Sequence, residues 1–295
     1  RAQKEKINKN GFIIIPSDYD NEGYIITKKI IDSGNKNLIL GSKTLEIKSP
    51  LRLIHGDKDK DVHWKESLKI FIGYDSRQDK DPLGKGIVNP PYEVCKASIR
   101  NFNTRVQIIP LKLDELIEIG IYDRDKDPLA STEFTYSRFL VPYLSNYRGI
   151  SLFCDSDFLW QTDITDVLKY FDTKHSVMCC KHEYTPTNNT KMDGLKQTVY
   201  PRKNWSSLML FNCSDSHCKE LTPEVINNES PKFLHRMLWT DDDKIGNIPL
   251  EYNWLEGDYN GDTQPKAIHY TNGGPWHSTW DGDYRANWEN TYSTL

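Results

Sequence analysis

The chain has 295 residues, a net charge of −4 and 37% hydrophobic residues, which suits one large or two smaller globular domains with a sizeable core. No window approaches 18 consecutive apolar residues, so the sequence predicts no integral membrane span, and the absence of a basic patch argues against a nucleic-acid partner. Six cysteines without a C-x-x-C pair fit free thiols in a reducing compartment, and the apolar run FIII is shorter than a signal-peptide core. We therefore expect a cytoplasmic protein.

The first 67 residues are predicted to form short, alternating elements. FIIIPS is typical of a strand, and EGYIITKKIIDSG has the pattern of a helix that ends on Gly34. The hydrophobic pattern changes at SLKIFIGYD, which is typical of a buried strand that ends at Asp75. We therefore place a domain boundary between residues 67 and 68.

From residue 68 onwards, predicted strands alternate with predicted helices. The strands, in chain order, are SLKIFIGYD, VQIIPLKL, ISLFCDSD, SVMCCKH, SSLMLFNCS, IPLEYNWL and KAIHYTN. The helices are EVCKASIRNF, SRFLVPYLSNY, VLKYF and SPKFLHRMLW. This alternation predicts an α/β fold with a mainly parallel sheet flanked by helices.

Ionisable side chains follow several of these strands. Asp75 ends the first, Asp155 and Asp157 follow ISLFC, and His182 and His269 stand at the ends of two later strands. In open α/β sheets ligands bind outside the carboxyl ends of the strands. These residues are therefore expected to surround one crevice, although His182 fits a structural role better than a chemical one.

The pair Asp155 and Asp157 raises an electrostatic question. In an extended chain, residues two apart point to the same side, about 7 Å apart or less, and like charges that close repel. Taken alone, the two aspartates are more typical of a solvated strand end than of a functional site. Together with His269 they form an oxygen and nitrogen set that suits Mn²⁺ or Mg²⁺.

Residues 68–295 resemble the nucleotide-sugar glycosyltransferases of the GT-A fold, and are most similar to the family-8 group. The stretches that carry the resemblance are IFIGYD, STEFTYSRFLVPYL, LFCDSDFLW, KNWSSLMLFNC, WTDDDKIG, LEYNWL and IHYTNGGPW. The resemblance implies a GT-A fold and an enzyme that moves a sugar from a nucleotide-diphosphate donor, with a UDP-sugar expected. The acceptor is left open among carbohydrate, lipid and protein, and the family-8 likeness suggests retention of anomeric configuration.

The resemblance also implies roles for individual residues. Asp155, Asp157 and His269 match the metal ligands of the family, and Arg138 matches an arginine that contacts the donor. The remaining donor-binding positions are Tyr74, Asp75, Asp155, Ser156, Asn212, Gly273, Gly274 and Trp276.

Two departures from the family pattern bear on catalysis. Asp241 and Asp242 match an Asp-Gln pair near the reacting centre, so Asp242 replaces the glutamine. Gly274 stands where the family has a lysine, which leaves neutralisation of the phosphates to the metal or to Lys181, Arg202 or Lys203. The acids at 241–243 are equally typical of a solvated helix start.

Residues 1–67 resemble the C-terminal part of small α/β-hydrolases. In HGDKDKDV, Asp59 matches the acid of that family's catalytic triad. His63 lies too close to Asp59 in sequence to be assigned as the catalytic base. The chain has no G-x-S-x-G nucleophile motif, so we expect this segment to be non-catalytic. An esterase and a non-catalytic nucleotide-sugar-binding protein are the alternative functions.

Overall fold

The computed structural model describes residues 12–15, 24–27, 68–79, 81, 84–128, 130–183, 201–259 and 263–295. The chain divides into two units, Arg1–Ile54 and His55–Leu295. The domain boundary at residue 67 and the hydrolase-like residues Asp59 and His63 lie outside the described residues and stay predictions.

In the first unit, strands β1 (Phe12–Ile15) and β2 (Tyr24–Thr27) pair antiparallel, with Phe12 opposite Thr27. The predicted strand at FIII is confirmed. The helix predicted over residues 22–34 is wrong at YIIT, because aromatic and β-branched residues favour a pleated strand.

The second unit contains two sheets. Its strands are β3 (Lys69–Gly73), β4 (Gln107–Leu111), β5 (Ile150–Cys154), β6 (Phe158–Trp160), β7 (Val177–Cys179), β8 (Leu208–Asn212), β9 (Ile245–Asn247), β10 (Trp254–Leu255) and β11 (Ala267–His269). Within the described residues, the larger sheet has the order β4-β3-β5-β8-β7-β9, and the smaller one has the order β10-β11-β6.

The larger sheet is parallel except at one strand. β8 runs antiparallel to both of its neighbours, β5 and β7, whereas the other pairs run parallel. The expected α/β architecture with a mainly parallel sheet is thus confirmed. The reversal of β8 brings its first residue, Leu208, beside Cys154 at the carboxyl end of β5.

The second unit also contains seven α-helices within the described residues. They are α1 (Pro90–Phe102), α2 (Leu113–Glu118), α3 (Val141–Leu144), α4 (Ser216–Glu220), α5 (Pro223–Asn228), α6 (Pro231–His235) and α7 (Arg285–Ser293). Shorter 3₁₀ helices span Ser76–Gln78, Ser137–Leu140, Ile164–Tyr170, Trp205–Ser207, Asp242–Lys244 and Leu250–Tyr252. The predicted helix at SPKFLHRMLW is confirmed only as far as His235, because Met237 adopts a positive φ of 53°.

The core lies on both faces of the larger sheet. Along β5, Phe153 packs into one apolar cluster, whereas Leu152 and Cys154 pack into the cluster on the other face. A strand buried on both faces carries a nearly continuous apolar run, which is why ISLFC was readable as a strand. The six cysteines are buried free thiols, in agreement with the sequence.

A third apolar cluster underlies the smaller sheet. It combines Leu159 of β6 and Ile268 of β11 with Trp276, Trp280 and Trp288. Among the described residues, no helix combines the length and apolar character needed to cross a bilayer.

Replacing Leu210 by alanine should destabilise this unit by about 2–5 kcal/mol, because its side chain is fully buried at the centre of β8 and would leave a cavity. Urea unfolding followed by circular dichroism measures the change. Leu238→Ala, at a leucine that is 51% exposed, is the control and should stay within about 0.5 kcal/mol of the wild type. Equal effects of the two substitutions would contradict this picture of the core.

Candidate functional site

A pocket of about 720 Å³ opens at the carboxyl ends of β3 and β5. Its volume is in the range of small-molecule sites. The charged residues that line it are Asp75, Asp127, Arg138, Asp155, Asp157, Lys203, Lys232 and Arg236, with His235 and His269 beside them. The carboxylates and the cations therefore balance, and the acids gather at one end of parallel strands as the sequence predicted.

The two aspartates of the Asp-Ser-Asp sequence lie on a turn between β5 and β6, not on an extension of the strand. The backbone N–H of Asp155 donates to the carbonyl of Ser207 at 3.0 Å, and Tyr270 N–H donates to the carbonyl of Asp157 at 3.0 Å. These bonds tie the turn to both sheets. The convergence of the two carboxylates therefore comes from the turn, which strand alternation did not predict.

His269, the last residue of β11, joins the two aspartates. One ligand atom from each of Asp155, Asp157 and His269 lies within 4.8 Å of the other two. His269 Nε2 is 3.3 Å from Asp157 Oδ1, and its ring stacks on Phe158 with centroids 4.4 Å apart. Two carboxylate oxygens and an imidazole nitrogen at this spacing fit a divalent cation such as Mn²⁺ or Mg²⁺.

Arg138 neutralises part of this acidic group. Its Nη1 is 2.8 Å from Asp155 Oδ1 and donates to the carbonyl of Ser206 at 2.9 Å. The Arg138 side chain is only 6% exposed, and its guanidinium lies 5.0 Å from the ring centroid of Phe153. A buried guanidinium held by an ion pair and a carbonyl is rigid, so it fixes Asp155 in one orientation.

Two histidines, one in the pocket lining and one outside it, are kept neutral. Burial, with the positive charges of Arg138 and Arg124, lowers the pKa of His235 to about 3, and Ser206 Oγ is 2.9 Å from its Nδ1. Burial also lowers the pKa of His182 to about 3, and its Nδ1 lies 2.6 Å from the hydroxyl of Tyr259. His182 does not line the pocket, which agrees with its expected structural role.

The end of β3 contributes one wall of the pocket. Asp75 is 3% exposed, and its carboxylate accepts three hydrogen bonds from Arg77, two from the guanidinium at 2.8 Å and 2.6 Å and one from the backbone N–H at 3.1 Å. Tyr74 points elsewhere: its hydroxyl donates to Asp79 at 2.6 Å, and burial together with that bond raises its pKa to about 12. The structure therefore brings Asp75 to the pocket and leaves Tyr74 outside its lining.

The loop after β11 forms the opposite wall. Gly273 and Trp276 of this loop line the pocket, as does Ser156 of the turn between β5 and β6. A side chain at Gly274 would meet the Trp276 ring at 2.2 Å, so the indole packs directly on the glycine backbone. A lysine, which the glycosyltransferase family has at this position, would not fit at residue 274 while the Trp276 ring packs there.

Three predicted site residues lie away from the pocket. Asn212 pairs with Ile150 at the start of β5, about 13 Å along the strand from its other end, and its amide donates to Thr173 and His175 carbonyls. The donor-binding position that the resemblance implied for Asn212 is therefore corrected, because β8 is antiparallel and its last residue lies at the far end of β5. Asp241 and Asp242 precede β9, are exposed, and lie beside His217 and Arg202 respectively.

The sequence did not assign roles to several residues that line or support the pocket. They include Phe134, Tyr136, Ser206, Ser207, His235 and Arg236 in its lining, and Asn253 beneath it. Of the three alternative cations, Lys203 lines the pocket, whereas Lys181 donates to the Ile245 carbonyl and Arg202 pairs with Asp242. The sequence singled out the stretch that contains KNWSS but did not place it at the site. Its position there depends on the antiparallel direction of β8.

Comparison with known proteins identifies relatives of this architecture. No protein-family model matches the chain. It is 44% identical over 233 residues to Protein CDI of Arabidopsis thaliana, which covers 77% of this chain and 86% of that protein.

The chain is also similar to a number of solved structures, among them the following two. The WbbM bifunctional glycosyltransferase superposes with a TM-score of 0.54 at 15% identity, over 78% of this chain and 50% of WbbM. GlyE of Streptococcus pneumoniae TIGR4 gives a TM-score of 0.49 at 16% identity, over 77% of this chain and 60% of GlyE. This chain thus spans half to three fifths of those structures, and the likeness to WbbM establishes a GT-A glycosyltransferase fold.

Removing the cation of the buried pair, by Arg138→Met, should lower the free energy of unfolding by about 3–5 kcal/mol at pH 7.5 without added metal, because it leaves the Asp155 carboxylate uncompensated. The double variant with Asp155→Asn should recover part of that loss. Urea unfolding measures both. A single variant as stable as the wild type would show that Arg138 does not neutralise Asp155.

Acid should destabilise the protein through its buried histidines. Because the pKa of His235 falls to about 3 in the folded state, the unfolded state binds the extra proton, and stability is lost as the pH falls from about 6.5 towards 3. His235→Gln and His182→Gln should each make the free energy of unfolding less dependent on pH between 6.5 and 4. If urea titrations give both variants the slope of the wild type, these histidines are charged in the folded protein.

Proposed function

We propose that this chain, which belongs to the family of the Arabidopsis thaliana Protein CDI, is a metal-dependent glycosyltransferase that moves a sugar from a nucleotide-diphosphate donor to a carbohydrate, lipid or protein acceptor. The observation that supports this most directly is the meeting of Asp155, Asp157 and His269 in a pocket at the strand ends of a GT-A fold. The family-8 likeness adds a UDP-sugar donor and retention of configuration to the proposal.

Asp155, Asp157 and His269 would hold Mn²⁺ or Mg²⁺. A divalent ion bound there supplies Lewis-acid stabilisation of the charge that develops on a diphosphate leaving group. The protein provides ligands from a turn and from a strand of the smaller sheet, both tied by backbone hydrogen bonds, so the ion site is fixed before a donor arrives.

Arg138 would contact the donor as well as orient Asp155. Among the described residues, its contacts use Nε and Nη1, which leaves the hydrogens of Nη2 for a ligand in the pocket. Lys203, 9% exposed and in the lining, is a further candidate for the phosphate charge. The loop of Gly273 and Trp276 would cover the donor from the opposite side.

The nucleoside is assigned to the wall at the end of β3, where Asp75 lines the pocket. Tyr74 and Asn212 are left out of the proposed donor site because their side chains are engaged elsewhere. Asp241 and Asp242 are also left out of the proposed reacting centre, since their side chains are 77% and 82% exposed outside the pocket lining.

Asp157→Ala should reduce transfer by at least about 100-fold, because bound metal contributes several kcal/mol to transition-state stabilisation. The assay is release of the nucleoside diphosphate with MnCl₂ present, on protein whose circular dichroism spectrum matches the wild type. Asp114→Ala, at an exposed aspartate of α2, is the matched control and should keep full activity. Undiminished turnover by Asp157→Ala would refute the metal-dependent mechanism.

The donor can be identified by thermal shift. UDP-, GDP- and dTDP-sugars are added in turn with MnCl₂, and the true donor should raise Tm because it binds only the folded state. We expect a UDP-sugar to give the largest shift and to be hydrolysed or transferred. A shift without hydrolysis or transfer across an acceptor panel would instead favour a non-catalytic binding protein, and no shift with any donor would overturn the proposal.

A further inference from the structure

A chain of buried hydrogen bonds runs behind the candidate metal site. His269 Nδ1 lies 2.8 Å from the side-chain oxygen of Asn253, and the Asn253 amide nitrogen donates to Ser207 Oγ at 2.9 Å. Ser207 Oγ in turn donates to the backbone carbonyl of Asn204 at 2.7 Å. Asn253 is fully buried, and His269 and Ser207 are 2% and 3% exposed.

These three bonds are consistent with only one direction. The carbonyl of Asn204 can only accept, so the single hydroxyl hydrogen of Ser207 is used there. Ser207 Oγ must then accept from the amide NH₂ of Asn253, which turns the Asn253 oxygen towards His269. That oxygen accepts from Nδ1–H, so the neutral ring carries its hydrogen on Nδ1 and its lone pair on Nε2.

The direction of these hydrogen bonds also fixes the state of Nε2, on the other side of the His269 ring. Nε2 is the atom that faces Asp157 Oδ1 at 3.3 Å. A lone pair opposite a carboxylate oxygen places two acceptors side by side, an arrangement that a cation between them stabilises. The hydrogen-bond chain thus presents the imidazole in its ligating form before any ion binds.

Ser207 also reaches the other end of the site. Its backbone carbonyl accepts from Asp155 N–H at 3.0 Å, while its hydroxyl belongs to the chain to His269. The segment before β8 therefore holds one candidate ligand directly and another through Asn253. Asp155 and His269 come from different sheets, and Ser207 links the two through short, buried bonds.

We infer that Asn253 and Ser207 are positioning residues for the metal site: they fix the tautomer of His269 and its place relative to Asp155. The inference rests on the proposed metal-dependent function and extends it to residues outside the ligand set. It states that metal affinity depends on a fully buried amide that contacts neither the ion nor the substrate.

The test measures Mn²⁺ binding by calorimetry on the full chain, with MnCl₂ as the only ligand. Asn253→Leu, which keeps the size but removes the acceptor, should weaken Mn²⁺ binding by about 10–100-fold. Asn253→Asp, which keeps an oxygen for Nδ1–H, should recover most of the loss. Ser207→Ala, which removes the group that orients the amide, should give a smaller loss in the same direction.

Matched controls remove similar groups away from the site. Asn227→Leu deletes an amide that bonds the Ile121 carbonyl and the Asp123 N–H, and Ser145→Ala deletes a buried hydroxyl paired with Ser151 at 2.7 Å. Both should bind Mn²⁺ as the wild type does. Near-UV circular dichroism checks that every variant is folded.

A second readout needs no metal. In ¹⁵N-edited NMR of the metal-free protein at pH 8, the His269 signal, assigned by its loss in His269→Gln, should report hydrogen on Nδ1. That signal should shift towards the Nε2–H form in Asn253→Leu and become mixed in Ser207→Ala, whereas a residue with only a packing role would leave it unchanged.

The outcomes separate this inference from the proposed function. Wild-type affinity and an unchanged tautomer in both Asn253→Leu and Ser207→Ala would overturn the positioning role while leaving the metal site intact. If Asn253→Leu fails to fold, Ser207→Ala decides by the same two measurements. A wild-type protein that binds no Mn²⁺ would overturn both proposals together.

Discussion

The close approach of Asp155 and Asp157 is the constraint on which the site depends. Their ligand atoms lie within 4.8 Å of each other, and two unit charges at that limit repel by about 3 kcal/mol at an effective dielectric constant of 20. Arg138 compensates for one of them through its 2.8 Å contact with Asp155. Asp157 lines the open pocket, and its Oδ1 lies 3.3 Å from His269 Nε2, so a divalent cation bound there would reduce the repulsion between the two carboxylates.

The reversed strand β8 connects this constraint to the fold. Because β8 runs antiparallel to β5, the residues that precede it arrive beside Asp155. Ser206 accepts from Arg138, and Ser207 accepts from Asp155 and bonds to Asn253. A single turn of backbone before one strand therefore holds the guanidinium, one carboxylate and, through Asn253, the imidazole.

Much of this could be predicted from sequence, for physical reasons. Strands buried on both faces, such as ISLFC, are continuous apolar runs, and acids placed directly after them must lie at a sheet edge. The grouping of Asp155 and Asp157 with His269 followed from that rule together with the family resemblance. The direction of β8 could not be predicted, because an apolar run has the same pattern in either direction. The family resemblance placed Asn212 at the donor, whereas the antiparallel β8 puts it at the end of the sheet away from the pocket.

Residues whose role depends on a partner distant in sequence were also missed. Asn253 sits 46 positions from Ser207, and nothing in LEYNWL distinguishes a buried amide that orients a histidine from one in a loop. Likewise, the sequence shows that Gly274 stands where the resembling family has a lysine. Only the structure shows that the Trp276 ring packs against the backbone of Gly274. The sequence pattern predicts which strand ends lie close together. The direction of hydrogen bonds and the close packing of side chains are visible only in the three-dimensional structure.

The proposed site has one ion bound among three side chains, two from the turn after β5 and one from β11. The most direct measurement is a crystal grown with MnCl₂ and a nucleoside diphosphate, with data collected to record anomalous scattering from manganese. We expect one strong peak about 2.0–2.4 Å from carboxylate oxygens of Asp155 and Asp157 and from His269 Nε2. A peak elsewhere, or a peak whose coordination leaves out His269, would contradict it.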